Sequence, residues 1–203
     1  MTPRSILVVT DFSELGGHAL ARAALLGAEH RAALQLVYLS APGEVPPPDV
    51  AVRLSHHALQ LRQRHQIAVQ AVSRVDCTVA DIARAAAAHD LVVWGTAPQR
   101  GLRAWWGTHP ALQLLRACQR PVVVVRNAAD QTYQSLLVAV DFSQASHRLV
   151  ELGLALHPRA RVELFHAIST ANEGKLRYAE CRSAPSRSTA SSAGAMRKTA
   201  CSR

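Results

Sequence analysis

The sequence predicts an α/β fold, in which a three-layer α/β/α sandwich with a five-stranded parallel sheet is followed by a partial second copy. Two observations predict it. Short aliphatic runs of strand length alternate with longer segments whose apolar residues recur at helical spacing. The first of these runs also recurs later in the chain, at Ser135–Ser143. Because the aliphatic runs are continuous, the strands are expected to be covered on both faces, as in a parallel sheet.

Five strands and four helices alternate over the first 126 residues, and they form a first domain over residues 1–128. The strands are expected at Ser5–Thr10, Ala33–Leu39, Ile67–Val75, Leu91–Trp94 and Pro121–Arg126. The helices are expected at Leu15–Glu29, Val50–Gln66, Val79–His89 and Ala111–Gln119. Right-handed crossovers between parallel strands then place the helices on the faces of the sheet.

A duplication begins after the first domain. Ser135–Ser143 (SLLVAVDFS) matches Ser5–Ser13 (SILVVTDFS) at six of nine positions, at an ungapped shift of 130. A helical segment (Ala145–His157) and a strand segment (Val162–Ile168) follow in the same order. Such repetition signals duplicated domains. We therefore expect an incomplete second domain over residues 133–180.

The last residues, 181–203, differ in composition from the rest of the chain. They carry five basic side chains and no acidic one, so they hold +5 of the net charge of +9. Over residues 171–203 the large apolar residues are Leu176, Tyr178 and Met196. Ordering the backbone costs about 1–2 kcal/mol per residue, which so few apolar groups do not offset. A disordered basic tail is expected at 181–203. Because the charge is not on one face of a fold, nucleic acid is not an expected partner.

Several function classes find no support in the sequence. The longest aliphatic runs are far shorter than the ~20 residues that cross a bilayer. Ile6–Val9 is too short for a signal-peptide core, so the cytoplasm is expected. The histidines at 56, 57 and 65 lack a ligand spacing and are expected to lie on a solvated helix face. No Ser/His/Asp or Cys/His arrangement stands out. No metal site, no catalytic residue and no enzyme activity are expected.

Asp11 is the first candidate site residue. It follows the first strand and precedes Phe12, Ser13 and a helix. In doubly wound sheets, ligands bind outside the carboxyl ends of the strands, where a carboxylate can accept hydrogen bonds from ribose hydroxyls. Asp11 or Ser13 could equally cap the helix, since both residue types accept hydrogen bonds from free N–H groups. The spacing leaves both roles open.

A glycine-containing loop follows the fourth strand. It reads GTAPQRG at Gly95–Gly101, and Gly107-Thr108 precedes Pro110. Glycines let a backbone approach a phosphate, and a helix N-terminus adds free N–H groups and partial positive charge. An ordinary strand-to-helix loop would use the glycines only to turn. Both interpretations remain open at this point.

Three segments together resemble the universal stress protein family. They are the opening strand that ends in Asp11, the second strand ALQLVYL at Ala33–Leu39, and the late strand, glycine loop and helix before CQRPVVVVR at Cys118–Arg126. The resemblance covers residues 1–126 fully and 133–180 in part. It implies a Rossmann-like fold of the adenine nucleotide alpha hydrolase type and a cytoplasmic stress-response protein. It also implies a homodimer through the last strand of the first domain, Pro121–Arg126.

The resemblance also implies an ATP site. Nucleotide-binding members carry Gly-x-x-Gly, nine residues, and then Gly-Ser or Gly-Thr. The resemblance assigns the ribose-side acid, the backbone position that reads adenine, the first glycine and the closing pair to Asp11, Leu39, Gly95, Gly107 and Thr108. Pro98 stands where the second glycine belongs, and the interval is one residue short. Because proline has no N–H and a fixed φ, the phosphate motif is degraded at Pro98.

Two functional hypotheses follow from this departure. The first is an ATP-binding switch, and the second is a nucleotide-free dimerisation or adaptor module of the same family. A weak ATP hydrolase is a third reading. The glycine loop offers neither a general base nor a metal-binding carboxylate to support it.

Overall fold

The computed structural model describes residues 2–40, 45–72, 77–95, 110–128 and 131–167. The chain divides into two compact units, Met1–Phe165 and His166–Arg203. The first domain has the strands β1 (Ser5–Thr10), β2 (Ala33–Tyr38), β3 (Val69–Val72), β4 (Leu91–Gly95) and β5 (Val122–Val124). Its helices are α1 (Glu14–His30), α2 (Val50–His65), α3 (Val79–Ala86) and α4 (Pro110–Ala117). The strands form one parallel sheet in the order β3-β2-β1-β4-β5, which confirms the predicted fold class.

Helices cover both faces of the sheet, which explains why the strands are apolar throughout. In β1, Ile6 and Val8 pack with residues of α1 and α2. Leu7 and Val9 point to the opposite face and pack with residues of α3 and α4. All four side chains are fully buried. Successive residues of a strand point to opposite faces, so a strand between two helical layers needs apolar side chains at every position.

The main departures from the predicted boundaries are at β3, α3 and β5, and β5 spans Val122–Val124 rather than Pro121–Arg126. β3 spans Val69–Val72 rather than Ile67–Val75, and residues 73–76 lie outside the described residues. The helix α3 stops at Ala86 instead of His89, and a turn follows it. The alanines at 85–88 favour a helix by propensity. The chain leaves the helix because it must reach β4, where the amide of Asp90 donates to the carbonyl of Ser5 at 3.0 Å.

The helix α1 lies very close to the carboxyl ends of β1 and β4. A Cβ at Gly16 would lie 2.4 Å from the Thr10 hydroxyl oxygen. A Cβ at Gly95 would lie 2.3 Å from the carbonyl oxygen of Leu15 and 2.4 Å from the Cβ of Ala19. Neither position has room for a side chain. Glycine at 16 and 95 is therefore what allows this approach.

A second strand–helix–strand unit follows the first domain. It consists of β6 (Ser135–Ala139), α5 (Gln144–Leu156) and β7 (Arg161–Phe165), and its two strands are parallel. We call these three elements the second copy. Their order repeats that of β1, α1 and β2, as the sequence duplication predicts. Most of the remaining predicted second domain, from residue 168, and the predicted tail at 181–203 lie outside the described residues.

Arg22 of α1 contacts the segment that leads into the second copy. It is 5% exposed, and its guanidinium donates to the carbonyl of Gln131 at 2.8 Å. The guanidinium carbon also lies 3.8 Å from the centre of the Tyr133 ring. A cation over an aromatic face is worth about 2 kcal/mol when it is shielded from water. Arg22 therefore anchors the connection between the two repeats.

His157, directly after α5, is buried against the end of α1. It is 6% exposed, and its Nδ1 lies 4.0 Å from Oε2 of Glu29. The Tyr133 ring meets the imidazole edge-on at 4.9 Å. Burial lowers the pKa of His157; Glu29 opposes this shift, and Arg22 and His30 reinforce it. The folded protein therefore favours the neutral imidazole.

The close approach of α1 to β4 predicts that Gly95→Ala destabilises the protein. The added Cβ meets backbone rather than a flexible side chain, and overpacking of this kind costs about 1–3 kcal/mol. Gly17→Ala is the matched control, because nothing lies within 4 Å of its Cβ. Alanine in a helix is favoured over glycine by about 1 kcal/mol, so the control should gain stability. Urea unfolding measures both, and a Gly95→Ala variant as stable as the wild type would contradict the packing argument.

The burial of His157 predicts a loss of stability in mild acid. In the unfolded chain the imidazole binds a proton with a pKa of about 6.5, whereas in the folded chain its pKa is lower. The unfolded state then binds more protons, so the free energy of unfolding falls as the pH drops below about 6.5 and levels off below the folded pKa. Urea unfolding between pH 5 and pH 8 would measure the slope. His157→Gln should make it shallower, and an unchanged slope would show that His157 does not contribute.

Candidate functional site

The candidate site lies at the carboxyl ends of β1, β2 and β4. The chain passes from β1 to β2 and β3 on one side, and then returns to place β4 on the other side of β1. Thr10, the last residue of β1, is in register with Tyr38 of β2 and with Gly95 of β4. Ligands of doubly wound sheets bind at such a reversal of strand order. The predicted site residues Asp11, Leu39 and Gly95 all lie at this edge.

Asp11 and Ser13 have separate roles in the turn after β1. The Ser13 hydroxyl accepts a hydrogen bond from the amide of Gly16 at 3.2 Å, so Ser13 caps α1. Oδ1 of Asp11 accepts the amide of Ser13 at 2.9 Å and also the Ser13 hydroxyl. Of the two capping alternatives, the structure selects Ser13. Asp11 holds the capping residue in place through one carboxylate oxygen.

Phe12 is a feature of the site that the sequence did not reveal. Its φ of 59° is left-handed, which costs an L-residue about 1–2 kcal/mol. The ring stacks on Tyr38 with centroids 4.8 Å apart, and Arg53 lies 4.1 Å from the ring centre. Contacts of these types are worth about 0.5–1.5 kcal/mol each, so together they offset the strain. The stacking holds the Asp11 turn against β2 and α2.

His57 completes this aromatic group. Its ring lies nearly parallel to that of Phe12, with centroids 5.9 Å apart. Burial lowers the pKa of His57, and the nearby His56 and Arg53 lower it further. The sequence predicted a solvated helix face for these histidines. That holds for the exposed His56, whereas His57 is half-buried because Phe12 extends outward to meet it.

Leu39 is buried where β2 ends. It is 7% exposed and packs with Val9 and Trp94 on one face of the sheet. Its amide donates to the carbonyl of Thr10 at 3.0 Å. The amide of Leu39 is therefore hydrogen-bonded to the first strand. If the backbone at Leu39 binds an adenine, the carbonyl of Leu39 is the group that would accept its hydrogen bond.

Gly95 has a packing role that the sequence motif did not suggest. It is the last residue of β4, and α1 passes directly over it. This contact requires a glycine whether or not a phosphate binds nearby. The other glycine-loop residues, Pro98, Gly107 and Thr108 among them, lie outside the described residues. Of the five predicted ligand residues, the described structure thus locates Asp11, Leu39 and Gly95.

The second copy repeats this turn, but the hydroxyl that accepts a backbone amide comes from the helix instead of the strand. Phe142 has a φ of 62°, and Oδ1 of Asp141 accepts the amide of Ser143 at 2.9 Å. In the first copy the Thr10 hydroxyl, on the strand, accepts the amide of Phe12 at 3.1 Å. In the second copy the Ser146 hydroxyl, on the helix, accepts the amide of Asp141 at 2.9 Å.

The same hydrogen bonds determine the charge state of Asp141. Those from Ser143 and Ser146 lower its pKa well below the usual value. Asp141 therefore carries a negative charge at neutral pH.

The described ranges hold no group of three or more His, Cys, Asp or Glu side chains that could bind a metal ion. None of their helices is long and apolar enough to cross a membrane.

Comparison with known proteins identifies the family. The model of the universal stress protein family matches residues 3–126. A universal stress protein from Archaeoglobus fulgidus DSM 4304 is 14% identical, with a TM-score of 0.65 over 90% of this chain and 72% of that one. A protein of unknown function from Pseudomonas aeruginosa PAO1 is 25% identical, with a TM-score of 0.61 over 89% of this chain and 66% of that one.

A third structure was solved with a ligand. It is a universal stress protein in complex with cAMP, 17% identical to this chain, with a TM-score of 0.53 over 63% of this chain and 100% of that one. No curated protein matched the sequence. The family match spans more than half of the chain, and the fold is shared with these structures, so the chain belongs to the universal stress protein family.

Proposed function

We propose that this universal stress protein binds an adenine nucleotide, ATP in the first instance, at the carboxyl ends of β1, β2 and β4. One observation carries the proposal. Asp11, Leu39 and Gly95 come together around Thr10, at the point where the strand order reverses. The complex of a family member with cAMP supports the same class of ligand.

Each residue has a role that follows from its geometry. The carboxylate of Asp11, which is oriented by its hydrogen bonds with Ser13, would accept a hydrogen bond from a ribose hydroxyl. The carbonyl of Leu39 would accept from the adenine amino group, because the Leu39 amide is bonded to Thr10. Gly95 brings the chain to the start of the loop, where Gly107 and Thr108 would donate to phosphate oxygens.

The protein acts in the cytoplasm as a nucleotide-responsive switch, by binding rather than by turnover. Hydrolysis needs a group that activates water, and the glycine loop offers no carboxylate or histidine between Gly95 and Thr108. Binding alone changes function when it favours one conformation over another. This part of the proposal rests on the residue types in the loop.

A nucleotide-free adaptor is the second candidate function, and Pro98 favours it. A proline at the second glycine position removes one N–H donor from the phosphate loop. Mass spectrometry of the small molecules released from the purified, denatured protein separates the two functions. ATP or another adenine nucleotide supports the switch, whereas its absence together with no binding at millimolar ATP supports the adaptor.

The ribose role of Asp11 predicts that Asp11→Ala weakens ATP binding. Losing a hydrogen bond to a charged group costs about 1.5–3 kcal/mol, or about ten- to a hundred-fold in affinity. Asp141→Ala is the matched control, because it removes the same turn carboxylate from the second copy, where no described β4-like strand adjoins it. The control should cost stability without changing affinity. Calorimetric titration with melting curves measures both, and equal affinities for the wild type and Asp11→Ala would contradict the assignment.

The degraded glycine motif predicts that Pro98→Gly tightens ATP binding. The substitution restores an N–H and a permissive backbone, and one charge-assisted hydrogen bond of about 1.5–3 kcal/mol corresponds to at least about ten-fold in affinity. Pro98→Ala restores the N–H alone and so distinguishes the donor from the backbone freedom. Calorimetric titration is again the measurement. An affinity that neither variant raises would show that position 98 does not contact the phosphate.

A further inference from the structure

The strand β6 pairs with β7 on one side, and no strand among the described residues pairs with its other side. The amide of Val140 donates to Phe165 and the carbonyl of Gln134 accepts from Arg161, both at 2.8 Å. The groups of alternate residues therefore face β7, and those of Ser135, Leu137 and Ala139 face the opposite side. This second row of N–H and C=O groups is what we call the β6 edge.

The first copy shows what such an edge does when it is paired. The counterpart of the β6 edge in β1 lies against β4, where the carbonyl of Ser5 accepts the amide of Asp90 at 3.0 Å. On the face of the sheet, Leu7 is completely buried by α3 and α4, whereas its counterpart Leu137 is 69% exposed. The two strands share their apolar pattern. Within the described part of the chain, β6 thus has the sequence of an interior strand in the position of an edge strand.

The β6 edge lacks the features that usually protect edges from pairing. Natural edge strands carry charges or prolines, or are very short. β6 reads SLLVA, with neither a charge nor a proline. β7 carries the ion pair Arg161–Glu163 at 2.8 Å, and β5 has three residues and follows Pro121. Of the strands β5, β6 and β7, β6 is therefore the one that lacks these protecting features.

We propose that β6 is a self-association edge, at which two copies of this chain pair their β6 strands antiparallel about a two-fold axis. Pairing about Leu137, the middle residue of β6, places the two Leu137 side chains next to each other and joins two two-stranded sheets into one of four strands. An isolated two-stranded sheet is marginally stable, so the added strands stabilise both copies. This edge differs from β5, through which the family resemblance predicts a dimer.

A second copy suits this edge better than an unrelated partner. A two-fold axis places two identical β6 edges side by side in antiparallel orientation. Each N–H group of one edge can then face a C=O group of the other, so the edge is complementary to itself. Identical charges placed opposite each other would oppose such pairing. Because β6 has no charged residue, nothing in the strand opposes it.

The experiment measures the mass of the full chain in solution by sedimentation velocity over a range of concentrations. Val124→Lys is made first, to place a charge on the exposed residue of β5 and so exclude pairing there. This variant should remain a concentration-dependent dimer. Adding Leu137→Lys should convert it to a monomer, since two lysines would then meet at the two-fold axis. A monomeric Val124→Lys variant overturns the proposal, and so does a double variant that stays dimeric.

Hydrogen exchange in the Val124→Lys variant tests the same edge without altering β6. The amides of Leu137 and Ala139 should exchange more slowly as the protein concentration rises, because pairing covers them. Circular dichroism melting of the double variant, Val124→Lys with Leu137→Lys, checks that it folds. Protection that does not depend on concentration would mean that another part of the same chain covers the edge, and this would overturn the proposal.

Discussion

The close contact between α1 and the carboxyl ends of β1 and β4 is the constraint on which the candidate site depends. Two glycines, Gly16 and Gly95, allow the helix to start directly over the sheet. Ser13 then caps the helix and Asp11 holds Ser13. The position of the carboxylate is therefore a consequence of helix packing. A ligand at this edge would meet a carboxylate whose orientation is already determined before binding.

Much of the fold follows directly from the sequence, for a physical reason. A strand between two helical layers must be apolar on both faces, so β1 and β2 are visible as continuous aliphatic runs and were predicted almost to the residue. The duplication revealed β6, α5 and β7 in the same way. Strand ends such as those of β3 depend on the neighbouring strand, and here the pairing with β2 covers Val69–Val72. A local pattern does not contain that information.

The candidate site was less predictable, because its residues serve packing and chemistry at once. Asp11 was identified by its place after the first strand, but the choice of Ser13 as the cap depends on geometry. Phe12 carries no local signal for a left-handed backbone, since its strain is offset by Tyr38 and Arg53, which are distant in sequence. Gly95 was attributed to phosphate binding, and its contact with α1 shows a second reason for a glycine there.

The two copies of the Asp-Phe-Ser turn have consequences for how such sequences can evolve. One copy pairs Thr10 with Gly16, and the other pairs Val140 with Ser146, so the hydroxyl has moved from the strand to the helix. At position 16 a side chain would crowd the Thr10 hydroxyl. A single substitution leading from one arrangement to the other therefore passes through a turn with two crowded hydroxyls or with none. Positions six residues apart are coupled in this way, and divergence between the repeats proceeds through paired changes rather than independent ones.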